Sequence, residues 1–223
     1  MNIAFTSSRK FRLLLFLSAG IAATCLLQAE PSGTETAGYR RDYCDYIETY
    51  CKTAIRQQKK YKIPASIILA QAILESSAGQ SYLALGGNNH FGIKCNDWNG
   101  LCIQKNHADG SACYRKYLAA ADSYEDHSLF LTGRNRYDPL FKLPATDYKN
   151  WAKGLKQYGY ATDPQYASKL IALIETYELY RFDTASENDE IPFVIKNRDA
   201  AKKTSRPLPA SKRKPPHSEN NCP

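Results

Sequence analysis

The 223-residue chain predicts a mostly helical α+β domain with a small β-hairpin. Three observations lead there. Apolar residues recur at helical spacing in separate stretches between residues 42 and 177. Two short segments, Phe91 to Lys94 and Ala112 to Tyr117, read as extended, with turn chemistry at Asn106 to Gly110 between them. After Asp183 the composition turns to Pro, Lys and Ser without periodicity, which closes the domain.

The first helix covers Asp42 to about Lys60, where Tyr43, Ile47, Tyr50, Ala54 and Ile55 share a side and Lys and Arg fill the other. Pro64 suits the first position of a second helix, since its missing N–H costs nothing there. Gly79, Gly86 and Gly87 end that helix and set a loop. Ser123-Tyr124-Glu125-Asp126 reads as a capping box for a helix through Leu129 and Phe130. Asp147 precedes a helix with Trp151, Leu155 and Tyr158 on one side; Asp163-Pro164 caps a last one bearing Leu170, Ile171, Ile174 and Tyr177.

Four segments follow: a signal at 1–29, a linker at 30–40, the domain at 41–183 and a basic Pro/Lys-rich tail at 184–223. Arg9, Lys10 and Arg12 form a basic start, Leu13 to Leu27 an apolar stretch, and Leu27-Gln28-Ala29 a small-residue cleavage site. The apolar run falls short of the roughly 20 residues that span a bilayer, so cleavage is favoured over an anchor. A lipid-anchored Cys25 is a poorer match. Export to the periplasm, the cell envelope or beyond is the expectation, with no stable membrane span after cleavage.

Export makes the cysteines readable. Cys44, Cys51, Cys95, Cys102, Cys113 and Cys222 remain, and an oxidising compartment favours disulfides. Cys44 and Cys51 on one helix stand about 10 Å apart, beyond disulfide reach. Cys95 and Cys113 flank the hairpin and are the first pair expected to bond. Cys95, Cys102, His107 and Cys113 fit no standard zinc spacing, so no metal or other cofactor is expected. The formal net charge of +8 points to an anionic partner. Nucleic acid fits that sign, but export favours an acidic cell-wall polymer. Much of the excess sits in the tail, as Lys196, Arg198, Lys202, Lys203, Arg206, Lys212, Arg213 and Lys214.

Ile63 to Cys95 carries the chemistry. Glu75 lies near the end of the second helix, and Ile68, Gln71 and Ala72 share its face. A carboxyl beside Ile68 and Ala72 loses hydration, which raises its pKa and suits a proton donor to a glycosidic oxygen. The competing reading is a helix-end acid that faces water or bonds a loop N–H. His90, His107 and His127 have no acid or serine at suggestive spacing, so nucleophilic catalysis finds no support.

Leu69-Ala70-Gln71-Ala72-Ile73-Leu74-Glu75-Ser76, then Ser81, then Asn88-Asn89-His90-Phe91-Gly92-Ile93-Lys94 resemble the signature of the bacterial β-N-acetylglucosaminidases of glycoside hydrolase family 73. Gly159-Tyr160-Ala161-Thr162-Asp163-Pro164, with Tyr166-Ala167 and Lys169-Leu170-Ile171, is similar to a second motif of that family. The resemblance covers about residues 42–182 and implies a lysozyme-like fold. It implies hydrolysis of the β-1,4 glycan bond of peptidoglycan after N-acetylglucosamine, with Glu75 as general acid. Tyr160 matches a tyrosine of the cleft floor, and Asn88, Asn89 and Phe91 match the loop beside the acid. Gln71 and Ser81 belong to the same signature, and Trp98 offers a flat platform for a sugar ring.

The family often carries a second acid on the hairpin. Here Lys105-Asn106-His107-Ala108-Asp109-Gly110 holds no Glu; Asp109 is the nearest substitute and Asp97 a weaker one. Asp109 reads equally as a turn residue before Gly110. An inverting enzyme needs the two carboxyls about 6.5–9.5 Å apart, and without a second one the substrate's N-acetyl group can serve as nucleophile. Asp126 is accounted for by capping. Lys94, Arg115 and Lys116 are candidates to meet acidic stem peptides. Two rivals remain: a lytic transglycosylase on the same fold, and a non-catalytic wall-binding module.

Overall fold

The computed structural model of the protein describes residues 41–107 and 110–189. The expected signal, linker, most of the tail, Cys222 and Asp109 lie outside the described residues. Within them the chain is helical with one two-stranded antiparallel sheet, as expected.

Helix α1 (Arg41–Tyr61) turns Cys44, Ile47, Cys51, Ala54 and Ile55 into the core, a spacing that follows one face of a helix. It stops at Lys62, whose positive φ of 63° breaks the helical path, and Ile63-Pro64 redirects the chain. Helix α2 (Ala65–Ser76) is buried on every side except near its end. Ile67, Ile68, Leu69 and Ile73 are fully enclosed, each worth about 1.5–3 kcal/mol of burial. A helix this buried needs side chains to satisfy its first N–H groups. Gln58 Oε1 accepts from Ala65 N at 2.6 Å, and Asp183 Oδ1 accepts from Ser66 N at 2.8 Å.

Past Ser76 the backbone turns sharply through Ser77, Ala78 and Gly79, all with positive φ. Ser76 Oγ accepts from Gly79 N at 2.7 Å and tightens the turn. A Cβ at Gly79 would lie 3.1 Å from the Tyr46 ring, so glycine permits both the φ and the close approach. A short helix α3 (Tyr82–Gly87) follows where the sequence suggested only loop. Ser81 Oγ caps it by accepting from Ala84 N at 3.2 Å.

The hairpin pairs β1 (Cys102–His107) with β2 (Gly110–Arg115), with Cys102 opposite Arg115 and His107 opposite Gly110. The expected first strand at Phe91 to Lys94 does not form. Gly92 takes a φ of 64° and the Asn89 side chain bonds both N and O of Ile93, which leaves only an isolated Lys94–Tyr114 bridge. The disulfide also differs from expectation: Cys95 bonds Cys102 across seven residues. Cys95 does meet Cys113, but through its backbone N–H at 3.0 Å to the Cys113 carbonyl, while its sulfur is taken by Cys102. Cys44 and Cys51 are buried free thiols.

Helix α4 (Ala120–Thr132) starts before the expected cap. Asp122 Oδ2 accepts from Ala119 N at 3.0 Å, and Ser123 is buried inside the helix with its hydroxyl on the Ala120 carbonyl. Asp126 is therefore mid-helix and not a capping residue. A 3-10 segment holding Pro139 (Asn135–Lys142) leads to α5 (Tyr148–Gln157), which Asp147 caps by accepting from Asn150 N. Helix α6 (Tyr166–Thr176) crosses α2, and a last 3-10 turn (Leu179–Thr184) returns Asp183 to the start of α2. Among the described residues no helix is long and apolar enough to cross a membrane.

Candidate active site

Glu75 opens from the last turn of α2 into a groove of about 700 Å³. The loop at Phe91 to Lys94 and Arg115 of β2 line it, as do Asp126 and His127 of α4, Tyr160 and Tyr166. The geometry follows from the fold. A buried central helix ends near the surface here, and its one acid opens where α4, α6 and the hairpin leave a gap.

The sequence predicts a carboxyl dried by Ile68 and Ala72. Both are fully buried below, whereas Glu75 is open to solvent on its groove side. The groove walls enclose it elsewhere, and this loss of hydration pushes its carboxyl above the ordinary range. A hydrogen bond from the Tyr166 hydroxyl to Oε1, 3.0 Å long, pulls it part of the way back. Such a group touches solvent in the groove and is biased by its surroundings toward the protonated form.

Tyr160 lies in the groove beside Glu75, stacked on Tyr166 with centroids 5.6 Å apart and edge-on to Phe130 and His127. Burial and the neighbouring Glu75 charge push its hydroxyl well up, so it stays protonated. Phe91 also faces the groove and stacks on His127 with centroids 4.0 Å apart. The other expected sugar contacts do not line it. Gln71 is fully buried and donates to Tyr166. Ser81 caps α3. Asn88 Nδ2 donates to the Tyr117 and Leu118 carbonyls, and buried Asn89 ties Ile93 to Arg115. None of these four lines the groove. Trp98 packs against the Arg115 guanidinium, 4.7 Å from its ring, and also stands outside the groove lining.

Several groove residues, among them Tyr166, Asp126, His127, Arg134 and Asp163, are not assigned to the site by the sequence. Tyr166 bonds Glu75 across 91 residues of sequence, visible only once α6 crosses α2. Arg115 makes a two-pronged ion pair with Asp126, at 2.9 Å to Oδ1 and 2.8 Å to Oδ2. Tyr117 also donates to Asp126 Oδ2. Of the three basic residues expected to meet stem peptides, Lys94 and Arg115 do line the groove. Arg115 is already neutralised by Asp126, and Lys116 is not among the lining residues. Arg134 lines the groove instead, over the Phe130 ring. His127 is buried with both ring nitrogens unpartnered among the described residues, and burial pushes its pKa down to about 3.

Three carboxylates line the groove: Glu75, Asp126 and Asp163. Asp126 is held by Arg115 and Tyr117; Asp163 accepts from Lys169 and from Gln165 N. Glu75 is the one of the three without a cation partner among the described residues.

Residues 51–179 match the profile of the family described as glucosaminidase, mannosyl-glycoprotein endo-beta-N-acetylglucosaminidase. The chain is 39% identical over 137 residues to the exo-glucosaminidase LytG of Bacillus subtilis, covering 56% of this chain and 48% of that protein. It is 29% identical over 150 residues to the peptidoglycan hydrolase FlgJ of Pseudomonas aeruginosa, covering 61% of this chain and 37% of that one. The chain thus spans about half or less of these relatives. Among solved structures, the glycoside hydrolase domain of Salmonella typhimurium FlgJ aligns with a TM-score of 0.53 at 30% identity, covering 61% of this chain and 88% of that domain.

Proposed function

Because this chain belongs to the glucosaminidase family, we propose that it is an exported peptidoglycan hydrolase that cuts the β-1,4 glycan bond after N-acetylglucosamine, with Glu75 as general acid. The observation that carries this reading is Glu75 itself: an acid with a raised pKa, hydrogen-bonded by Tyr166, in a groove of about 700 Å³. Relatives bearing the names exo-glucosaminidase and peptidoglycan hydrolase support the substrate class. The Cys95–Cys102 disulfide supports an envelope or extracellular location.

In this reading Glu75 gives its proton to the glycosidic oxygen as the C1–O bond breaks. The other two groove carboxylates are committed to cations, which favours the substrate's acetamido oxygen as the group that attacks C1. Water then opens the resulting oxazolinium ring. Asp109 of the hairpin remains the proposed alternative partner, acting as a base on water.

Mass spectrometry of digested sacculi, run beside Glu75→Gln, tests the reading. Reducing N-acetylglucosamine ends that vanish in the variant are expected. Ends of 1,6-anhydro type would make the protein a lytic transglycosylase. Sacculus binding without any released fragment would make it a wall-binding module.

A further inference from the structure

Glu75 is held by a chain of side chains drawn from two helices. Gln71 Nε2 of α2 donates to the Tyr166 hydroxyl of α6 at 3.0 Å, and that hydroxyl meets Glu75 Oε1 at 3.0 Å. Gln71 and Tyr166 are 0% and 3% exposed, so their packing fixes both. The order of donors is dictated by chemistry. An amide nitrogen has only protons to offer, so the Tyr166 oxygen accepts from Gln71 and its own proton points to Glu75. Turning the Gln71 amide over would draw that proton onto Gln71 Oε1, which has no partner as it stands, and would strip Glu75 of its donor.

We propose that Gln71 and Tyr166 are positioning residues that reserve Oε1 of Glu75 as a hydrogen-bond acceptor and so place its transferable proton on Oε2. This rests on the reading of Glu75 as the proton donor. A proton on Oε1 would collide with the one Tyr166 presents, whereas Oε2 has no hydrogen-bond partner among the described residues. As Oε2 releases its proton to the leaving oxygen, negative charge spreads to Oε1. The Tyr166 bond then becomes charge-assisted and strengthens. Gln71 contributes at one remove, by holding the Tyr166 proton in that direction.

The sign of the pH effect separates this role from plain packing. A bond donated to the ionised carboxyl lowers its pKa, so removing the donor raises it. The alkaline limb of the activity profile, where a general acid loses its proton, should then move up even as the rate falls. Tyr166→Phe and Gln71→Met are compared with the wild type and Glu75→Gln from pH 4 to 9, by release of soluble fragments from dye-labelled sacculi. For Tyr166→Phe, kcat should fall about tenfold with KM unchanged, and the alkaline limb should rise by about half a unit to one unit. Gln71→Met should shift the limb in the same direction by less. A limb that stays put or moves down in both folded variants overturns the relay. If thermal melting shows Tyr166→Phe unfolded, Gln71→Met decides alone, and an unshifted limb there overturns it too. Wild-type activity in Glu75→Gln would instead refute the proton-donor reading itself, whatever the relay variants do.

Discussion

Asp126→Asn isolates the ion pair that ties the hairpin to α4 across the rim of the groove. Asp126 receives two bonds from Arg115 and one from Tyr117, and the Arg115 Nε also donates to the Lys94 carbonyl at 3.2 Å. Removing one partner of a fully buried pair costs about 3–5 kcal/mol, because the other charge is left stranded. Here the two side chains keep 20% and 16% of their surface exposed, so water relieves part of that cost. We expect a loss of about 2–3 kcal/mol, read from urea denaturation at pH 7 as a lower midpoint with unchanged slope. Arg115→Met should cost a similar amount. The double variant Arg115→Met/Asp126→Leu should cost less than the sum by at least about 1.5 kcal/mol. With the hairpin loosened, KM for sacculi should also rise. If Asp126→Asn stays within about 0.5 kcal/mol of the wild type, or the two substitutions simply add, the pair is not the tie described.

Other outcomes follow from the same structure. Glu75→Gln should lower kcat by about 100- to 10,000-fold without moving the thermal midpoint or sacculus binding; a small loss would place the acid elsewhere. Burial holds His127 neutral with a pKa of about 3 and raises the Asp183 carboxyl to about 7, so the two groups act oppositely on stability. The His127 contribution is complete above the ordinary histidine value of 6.5 and is lost as pH falls toward 3. The Asp183 contribution is complete below the ordinary value of 3.8 and is lost as pH rises through 7. Denaturation curves from pH 4 to 8 should show His127→Phe flattening the acid side and Asp183→Asn the neutral side; profiles parallel to the wild type would rule this out. Non-reducing peptide mapping should link Cys95 to Cys102, while Cys44 and Cys51 react with a thiol reagent only after unfolding. Replacing both Cys95 and Cys102 by Ser should cost about 2.5 kcal/mol, the loop-closure value for so short a ring; a Cys95–Cys113 peptide would contradict the pairing.

The helices were legible because their signals are local. Apolar spacing marked α1, Asp147 marked the start of α5, and Pro64 marked the start of α2, each within a few residues. The hairpin was half legible. Ala112 to Tyr117 reads as extended on its own and coincides with much of β2, whereas its partner strand is β1 and not the extended-looking Phe91 to Lys94. Nothing local separates the two stretches; the Asn89 side chain and the disulfide at Cys95 take the earlier one out of the sheet. The cap at Ser123 failed for a related reason. Ser-x-x-Asp is a helix start only if the preceding residues are not already helical, and here the helix already begins at Ala120, with Asp122 of its first turn accepting from Ala119 N.

The residues by themselves determined that α2 would be a buried helix ending in one acid, because hydrophobicity and periodicity are properties of neighbours along the chain. They also determined, through two separated motifs, which family the domain belongs to. Tertiary structure alone decided how that acid is held. Gln71, Tyr166 and Asp126 look from the sequence like a sugar contact, a motif residue and a cap. Only the packing of α6 on α2, and the bonds from Arg115 and Tyr117 to Asp126 of α4, turn them into the supports of Glu75 and of the groove rim. A hydrogen bond forms over about 3 Å of space, whatever number of residues lies between its ends.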